Sequence, residues 1–471
     1  MKSIKKINRN TYIYFAIIIV FVSLSFFVSM HHEPWADEAN PWLIARDASI
    51  PDLFKVYLHS EGHPSLWYLI LKFFQFCGLK YTNFYLIPIL FSTIGLVIFL
   101  FKSNFKLYLK ILFPFTYFIF YQYTIVARGY CLILPLLSLI AWIYPKRYDK
   151  PYLFSILLIL LLNLEAYTYI LSGCIFILYL YDYIKLVKKK EKPKKSYLIS
   201  LIILSFSFII TAIYTFPSGN YSIDHRGSGY FLSDSLITSF HYPGIIKYFA
   251  TLLIIPIIYI TYEKYGSKRK IIELAIFTLP IIGFFIFKYY NLWHLGIIFE
   301  VFIFLLWIHE FNDIKVFNYL LLITFAIQLS WSVASINYDL KNNYSSGKTV
   351  ANFIKKYNYK EMNIYALSYY EVSINPYFNQ NIFKNWDQEY SFFYINYNNK
   401  FYRKRIDEAF INKYRPDMVI SSSIANNLNN NKFKSKYYNK YYFKGYTYVE
   451  NKKYENQEIV VYVLKNKDII R

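Results

Sequence analysis

The chain has 471 residues, of which 56% are hydrophobic, 22% aromatic and only 17% charged. A water-soluble chain of this size carries about a quarter charged residues, so the composition excludes an ordinary soluble enzyme. The formal charge of +23 argues for membrane topology rather than nucleic-acid binding, because Lys and Arg are retained on the cytoplasmic side of a membrane chain.

The N-terminal Lys2, Lys5, Lys6 and Arg9 place that end in the cytoplasm. Tyr12 to Met30 then spans outward as a retained anchor, since the apolar run exceeds a signal-peptide core and no Ala-x-Ala site follows. The first outer loop, residues 31–64, is polar and rich in His and Trp. Within it, Ala36 to Ala48 reads as a short amphipathic helix along the interface, anchored by Trp35 and Trp42. Pro64 opens an apolar helix, Ser65 to Cys77, that is short for a crossing and interrupted by Lys72; the alternation of later basic clusters requires it to dip in rather than cross.

Further spans are expected at Asn83–Phe101, Leu107–Ile125, Tyr130–Tyr144, Tyr152–Leu164, Ala166–Ile184, Tyr197–Phe216, Gly244–Tyr262, Ile271–Phe287, His294–Ile308 and Val316–Ser335. The clusters at Lys102 and Lys106, 145–150, 185–195 and 263–270 fall on the cytoplasmic side, and an outer loop with His225, Arg226 and His241 runs from Pro217 to Pro243. Cys77, Cys131 and Cys174 lie in apolar segments at no metal spacing and read as buried thiols. From Asn337 the apolar runs shorten. A helix at Gly347–Tyr357, strands at Met362–Leu367, Asp417–Ile420 and Glu458–Leu464, and a helix at Arg403–Tyr414 make a small α/β domain, with a low-complexity loop at Asn426–Asn431. The expected fold is an all-α polytopic membrane protein, about eleven transmembrane helices plus interfacial helices. Residues 1–336 form its membrane domain and 337–471 an extracytoplasmic α/β domain.

Asp37 and Glu38 are the first candidates for chemistry. Adjacent carboxylates at a helix start also suit the positive end of a helix dipole, but that does not account for their company of His and Trp in the first outer loop. A carboxylate near the membrane surface is suited to deprotonate a hydroxyl where an acceptor meets a lipid-borne donor. Successive helical residues point about 100° apart, so one of the pair can react while its neighbour orients or binds. Arg128, in Ala127-Arg128-Gly129-Tyr130, suits a phosphate through its planar, permanently charged fork; its alternative is an interfacial Arg beside a belt Tyr. His63 and His294 are candidate partners in binding the donor phosphate. Trp35, Tyr130, Glu61 and Glu165 are candidate substrate-binding groups, with Glu165 equally readable as a solvated turn. His31, His32, Glu33 and Asp37 match no established metal-ligand spacing; a divalent cation held at Asp37 stays an open alternative. No glycine-rich phosphate cradle occurs.

Asp37-Glu38-Ala39 in the first outer loop, followed by His63-Pro64-Ser65-Leu66 opening the next apolar helix, resembles the glycosyltransferase C superfamily, in particular its protein O-mannosyltransferase-like and lipid A aminoarabinose transferase-like members. The resemblance covers the membrane half, residues about 10 to 310, in the order and spacing of elements. It implies that Asp37 is the catalytic carboxylate. His63-Pro64-Ser65-Leu66 is similar to a His-Pro-Pro-Leu motif with Ser65 in place of the second proline. Family members often carry an Arg at the turn of Arg128, some with a nearby Asp that this chain lacks.

The implied reaction moves a sugar from a polyprenyl-phosphate-linked donor to an acceptor hydroxyl on a glycolipid, polysaccharide or protein, in a multi-pass protein of the cell membrane. Two other classes compete. A transporter or lipid-linked sugar flippase would place its ionisable groups near the midplane, often with paired repeats, whereas here they cluster at outer ends. The other is a scaffold whose tail domain recognises glycan.

Overall fold

The computed structural model describes residues 9–216, 268–287, 292–310, 315–386, 390–392, 408–422, 437–445 and 458–465. The outer loop at Pro217–Pro243 with His225, Arg226 and His241, the span at Gly244–Tyr262 and the loop at Asn426–Asn431 lie outside these residues. Among the described residues, six helical stretches are long and apolar enough to cross a bilayer: Arg9–His31, Tyr81–Lys102, Gly129–Lys146, Ala166–Lys188, Lys195–Thr215 and Lys315–Lys341. Shorter apolar helices at Pro151–Leu162 and Leu295–Ile308 pack between them. The protein is therefore a polytopic, mostly helical membrane protein with a small C-terminal sheet.

Helices are named here in chain order: α1 (Arg9–His31), α2 (Ala36–Asp47), α3 (Leu66–Phe76), α4 (Leu86–Lys102), α5 (Leu107–Leu112), α6 (Ile133–Ile143), α7 (Pro151–Leu162), α8 (Ala166–Lys188), α9 (Lys195–Thr215), α10 (Lys268–Phe287), α11 (Leu295–Ile308), α12 (Lys315–Lys341), α13 (Gly347–Ile354) and α14 (Glu408–Tyr414). Every residue of α11 from Leu295 to Trp307 is buried, which is the signature of a helix enclosed on all sides. Basic residues gather at one end of the bundle. There Asp182 accepts from Arg147, Tyr148 and Arg269, Glu273 pairs with Arg269 and His309, and Lys194 pairs with Asp149. The polar first loop lies at the other end.

Helix α3 stays at that second end. Its first amide, Leu66, donates to Asn163 O at 2.8 Å, and the chain beyond it returns to place Tyr81 against Trp42. Eleven residues span only about 16 Å of a core about 30 Å thick. Lys72, which interrupts the apolar pattern, donates to Ala45 O and Ala48 O at the C-terminus of α2, and Gln75 donates to Trp42 O. A lysine there satisfies carbonyls that have no partner within the helix. The dipping helix thus lies along α2.

Four expectations change, the first being Cys77, read as a buried thiol and found exposed, unlike Cys131 and Cys174. The span expected as one helix over Leu107–Ile125 is α5, a 3-10 turn at Phe113–Phe115 and a π-helix at Tyr117–Ile125; Pro114 cannot continue an α-helix. Helix α2 does not present a lipid-facing amphipathic side, and Trp42 and Trp35, expected as belt anchors, are buried within the protein. Eight of its residues are buried, and Trp42 packs on Tyr81 and Phe84. Helix α12 runs unbroken through the boundary expected at residue 336.

The C-terminal region folds as a four-stranded sheet of order β1-β2-β4-β3, with β1 (Ile364–Ala366), β2 (Met418–Ser422), β3 (Tyr438–Phe443) and β4 (Ile459–Leu464). β1 runs parallel to β2; β4 is antiparallel to both β2 and β3. β3 is the strand that sequence analysis passed over. Its Tyr-Asn-Lys-Tyr-Tyr-Phe is largely polar and half exposed, as suits a sheet edge.

Candidate active site

The first loop is held by side chains rather than by covalent links. His32, immediately after α1, lies between two carboxylates: Nδ1 is 2.7 Å from Asp339 of α12 and Nε2 is 3.2 Å from Glu38. Burial opposes its charge, but Asp339 and Glu38 outweigh that and push the imidazole up to about 10. Glu38 is fully buried. Its Oε2 accepts from Trp35 N at 3.0 Å, half of a capping box at the start of α2. Its Oε1 accepts from Ala127 N at 2.6 Å. Glu38 therefore joins the first loop to the turn carrying Arg128, and both of its oxygens are taken by protein. The sequence alone left it a candidate for direct chemistry; here it lies buried with both oxygens engaged.

Asp37, one residue earlier, points elsewhere. Its Oδ2 is 3.3 Å from Arg128 Nη1, and its Oδ1 accepts from Tyr369 Oη at 3.1 Å. The guanidinium of Arg128 lies over the rings of Tyr130 and Trp293, at 5.0 and 5.4 Å, an arrangement that adds cation–π attraction to the ion pair. The bed beneath it is tightly built. Tyr130 stacks on Tyr123 at 5.2 Å, and Trp35 meets Trp293 edge-on at 6.1 Å. Tyr130 and Trp35, expected to touch substrate, are 0% and 5% exposed; Tyr130 lies under Arg128 and Trp35 packs on Trp293.

His63 Nδ1 is 2.7 Å from Glu165 Oε2. Burial works against the charge of His63, but Glu165 and Glu61 outweigh it and raise its pKa. Glu165 is buried at the N-terminus of α8, so the solvated-turn reading does not hold. Glu61 is within reach of Asn40 Nδ2 and Tyr68 Oη, at 3.3 and 3.4 Å. Burial pushes its carboxyl up to about 7; Asp37 adds to this, while His63 and Arg128 oppose it. His294 reaches the same neighbourhood but bonds through both ring nitrogens, to Tyr167 at 3.0 Å and Tyr130 at 3.1 Å. His294, expected beside the donor phosphate, thus lies between two tyrosines, one of which carries Arg128 over its ring.

Gly129 is required by this packing. A Cβ there would sit 2.9 Å from Glu165 Oε1 and 3.3 Å from Trp67 Cβ. The small residue lets the Arg128 turn close against α3 and Glu165.

The metal reading of the first loop does not gain from the structure. His31 turns back to Phe27 O, His32 is held by Asp339 and Glu38, and Glu33 Oε1 accepts from Lys348 N and Thr349 N. Among the described residues no group of three or more His, Cys, Asp or Glu converges to hold an ion.

Sequence reasoning missed Tyr369, Asp339 and Tyr167. Tyr369 is one of 52 tyrosines in the chain, and nothing in its sequence neighbourhood marks it. Asp339 carried a usable signal: it is an acidic residue at the end of a long apolar helix.

No protein-family model and no curated protein sequence matches the chain. Among solved structures, the crystal structure of ArnT from Cupriavidus metallidurans bound to undecaprenyl phosphate is similar. The likeness has a TM-score of 0.58 and 10% identity, and covers 96% of this chain and 97% of that one. With the likeness running over nearly the whole length of both, the chain has the glycosyltransferase C fold.

Proposed function

We propose that the protein is a membrane glycosyltransferase that moves a sugar from a polyprenyl-phosphate-linked donor to an acceptor hydroxyl on the extracytoplasmic side, with Asp37 as general base. The N-terminus is then cytoplasmic, and the domain from about residue 337 onward covers the outer face. The observation that carries this reading is the Asp37–Arg128 pair at 3.3 Å, beside His63 and Glu61, at the end of the bundle away from the basic clusters. The fold it shares with a protein crystallised with undecaprenyl phosphate supports it.

Three groups share the work. The acceptor hydroxyl attacks the anomeric carbon as its proton passes to the Asp37 carboxylate. A new carbon–oxygen bond forms, and the bond from the anomeric carbon to the phosphate oxygen breaks. The departing phosphate is a weak base and needs compensation of charge rather than a proton. Arg128 and His63 supply that compensation. A donor phosphate arriving at Arg128 draws the guanidinium from Asp37 and uncovers Oδ2 as the donor binds.

The test is transfer in proteoliposomes with a polyprenyl-phosphate sugar and a labelled acceptor. Asp37→Asn keeps the fold and lowers transfer by a factor of about 10² to 10⁴, the range expected for loss of a general base. Wild-type rates in that variant remove Asp37 from the chemistry. Movement of the lipid-linked sugar across the bilayer without covalent transfer would instead identify a flippase.

A further inference from the structure

We propose that the C-terminal domain completes the active site by supplying Tyr369 as a positioning residue for Asp37. This rests on the reading of Asp37 as general base.

Tyr369 lies 332 positions from Asp37 in sequence, yet its hydroxyl donates to Asp37 Oδ1 at 3.1 Å. The approach is built from both sides. On the domain side, Tyr369 sits at the start of a 3-10 turn, Tyr370–Ser373, tied to the sheet through a buried carboxylate. Glu371 Oε2 accepts from Ser368 N and Ser368 Oγ at 3.0 and 2.6 Å, and Oε1 accepts from Ser422 N at the end of β2 at 2.7 Å. The residue before Tyr369 is therefore fixed to a strand. On the membrane side, the first loop grips the same domain at separate points. Glu33 caps α13, Arg46 Nη1 donates to Phe378 O at 2.9 Å, Ser391 N donates to Asp47 Oδ2 at 2.7 Å, and Tyr57 meets Phe392 edge-on at 4.7 Å.

The hydrogen bond matters most once donor is bound. Arg128 and Tyr369 hold the two oxygens of Asp37 separately. When the donor phosphate draws Arg128 away, the phenol remains on Oδ1. It stops the carboxylate rotating and leaves Oδ2 aimed at the acceptor hydroxyl. A base held in one orientation reacts faster than one that must find it. Burial, and then Asp37 and Glu61, raise the phenol well above its usual range, so it stays a neutral donor. Positioning of this kind acts on the chemical step and leaves donor binding alone.

Three variants of the full-length protein in proteoliposomes test this: Tyr369→Phe, Tyr369→Ala and Asp37→Asn. Each is assayed for kcat, for acceptor KM and for the Kd of polyprenyl phosphate. Tyr369→Phe is expected to lower kcat about tenfold, with the Kd unchanged within twofold. Tyr369→Ala should lose kcat to a similar extent, because the hydroxyl rather than the ring is what acts. A kcat for Tyr369→Phe within twofold of wild type overturns the inference, as does a rise in donor Kd that matches the loss of rate. If Tyr369→Ala fails to fold, the Phe variant decides alone. Full activity in Asp37→Asn defeats the general-base reading itself; an inactive Asp37→Asn beside a wild-type Tyr369→Phe defeats only the role of Tyr369.

Discussion

Asp37 and Glu38 show how two adjacent, chemically similar residues diverge. On a helix they point about 100° apart. One turns toward Arg128 and Tyr369, and the other is sealed beneath the loop with His32, Trp35 N and Ala127 N. Around them the protonation states favour an anion at neutral pH and below. Glu61, raised to about 7, is neutral below that value, and His63, raised above its usual 6.5, is cationic below its own. As pH rises through about 7 Glu61 gains a negative charge, and His63 loses its positive one only above its own raised value. Both changes oppose a phosphate. Affinity for polyprenyl phosphate, read by titration in detergent, should therefore fall between pH 6 and pH 9. The fall should be roughly tenfold for each charge lost or gained at close range in a partly screened site. Glu61→Gln should remove part of that fall and leave the His63 part. A flat profile in the wild type would separate these two groups from the phosphate.

Among the elements, the turn after the π-helix carries the site. Pro114 breaks the incoming span, Tyr117–Ile125 winds as a π-helix, and the chain emerges at Ala127-Arg128-Gly129 against Glu38, Trp67 and Glu165. Such irregular helices recur at functional sites because they re-aim the residues that follow. Gly129→Ala should disturb this closure. Its Cβ would press on a buried carboxylate already 2.7 Å from His63, so either Glu165 or the turn must move. Overpacking of this kind costs about 1–3 kcal/mol. The variant should melt at lower temperature and bind polyprenyl phosphate more weakly; unchanged melting and binding would show the turn has room to spare.

At the scale of the whole molecule, the C-terminal domain is fastened to the first loop, and Glu33 is one of the fasteners. Its Oε1 accepts from Lys348 N and Thr349 N, the second and third amides of α13, at 2.6 and 3.1 Å, amides that no intrahelical carbonyl can reach. Glu33→Ala strands both, at about 1–3 kcal/mol, whereas Glu33→Gln keeps a carbonyl acceptor in place. The Ala variant should lose hydrogen-exchange protection over residues 368–378 and lose transfer in proportion, with the Gln variant close to wild type. Equal protection in all three would mean the other contacts suffice to dock the domain.

Much of this architecture was legible in the sequence, and for a definite reason. A bilayer demands long apolar helices and sorts basic residues to one side, so the spans, the polar first loop and the short helix beyond Pro64 are written in local composition. The motifs Asp37-Glu38-Ala39 and His63-Pro64-Ser65-Leu66 sit in that loop and pointed to the same end of the bundle. Which groups face one another was not legible. The burial of Trp35 and Tyr130, the engagement of His294 by two tyrosines, the clamp of His32 between Glu38 and Asp339, and the reach of Tyr369 to Asp37 all join residues far apart in the chain. Local pattern sets whether a residue lies in lipid or at its edge; only the packing of distant segments determines which side chains meet Asp37.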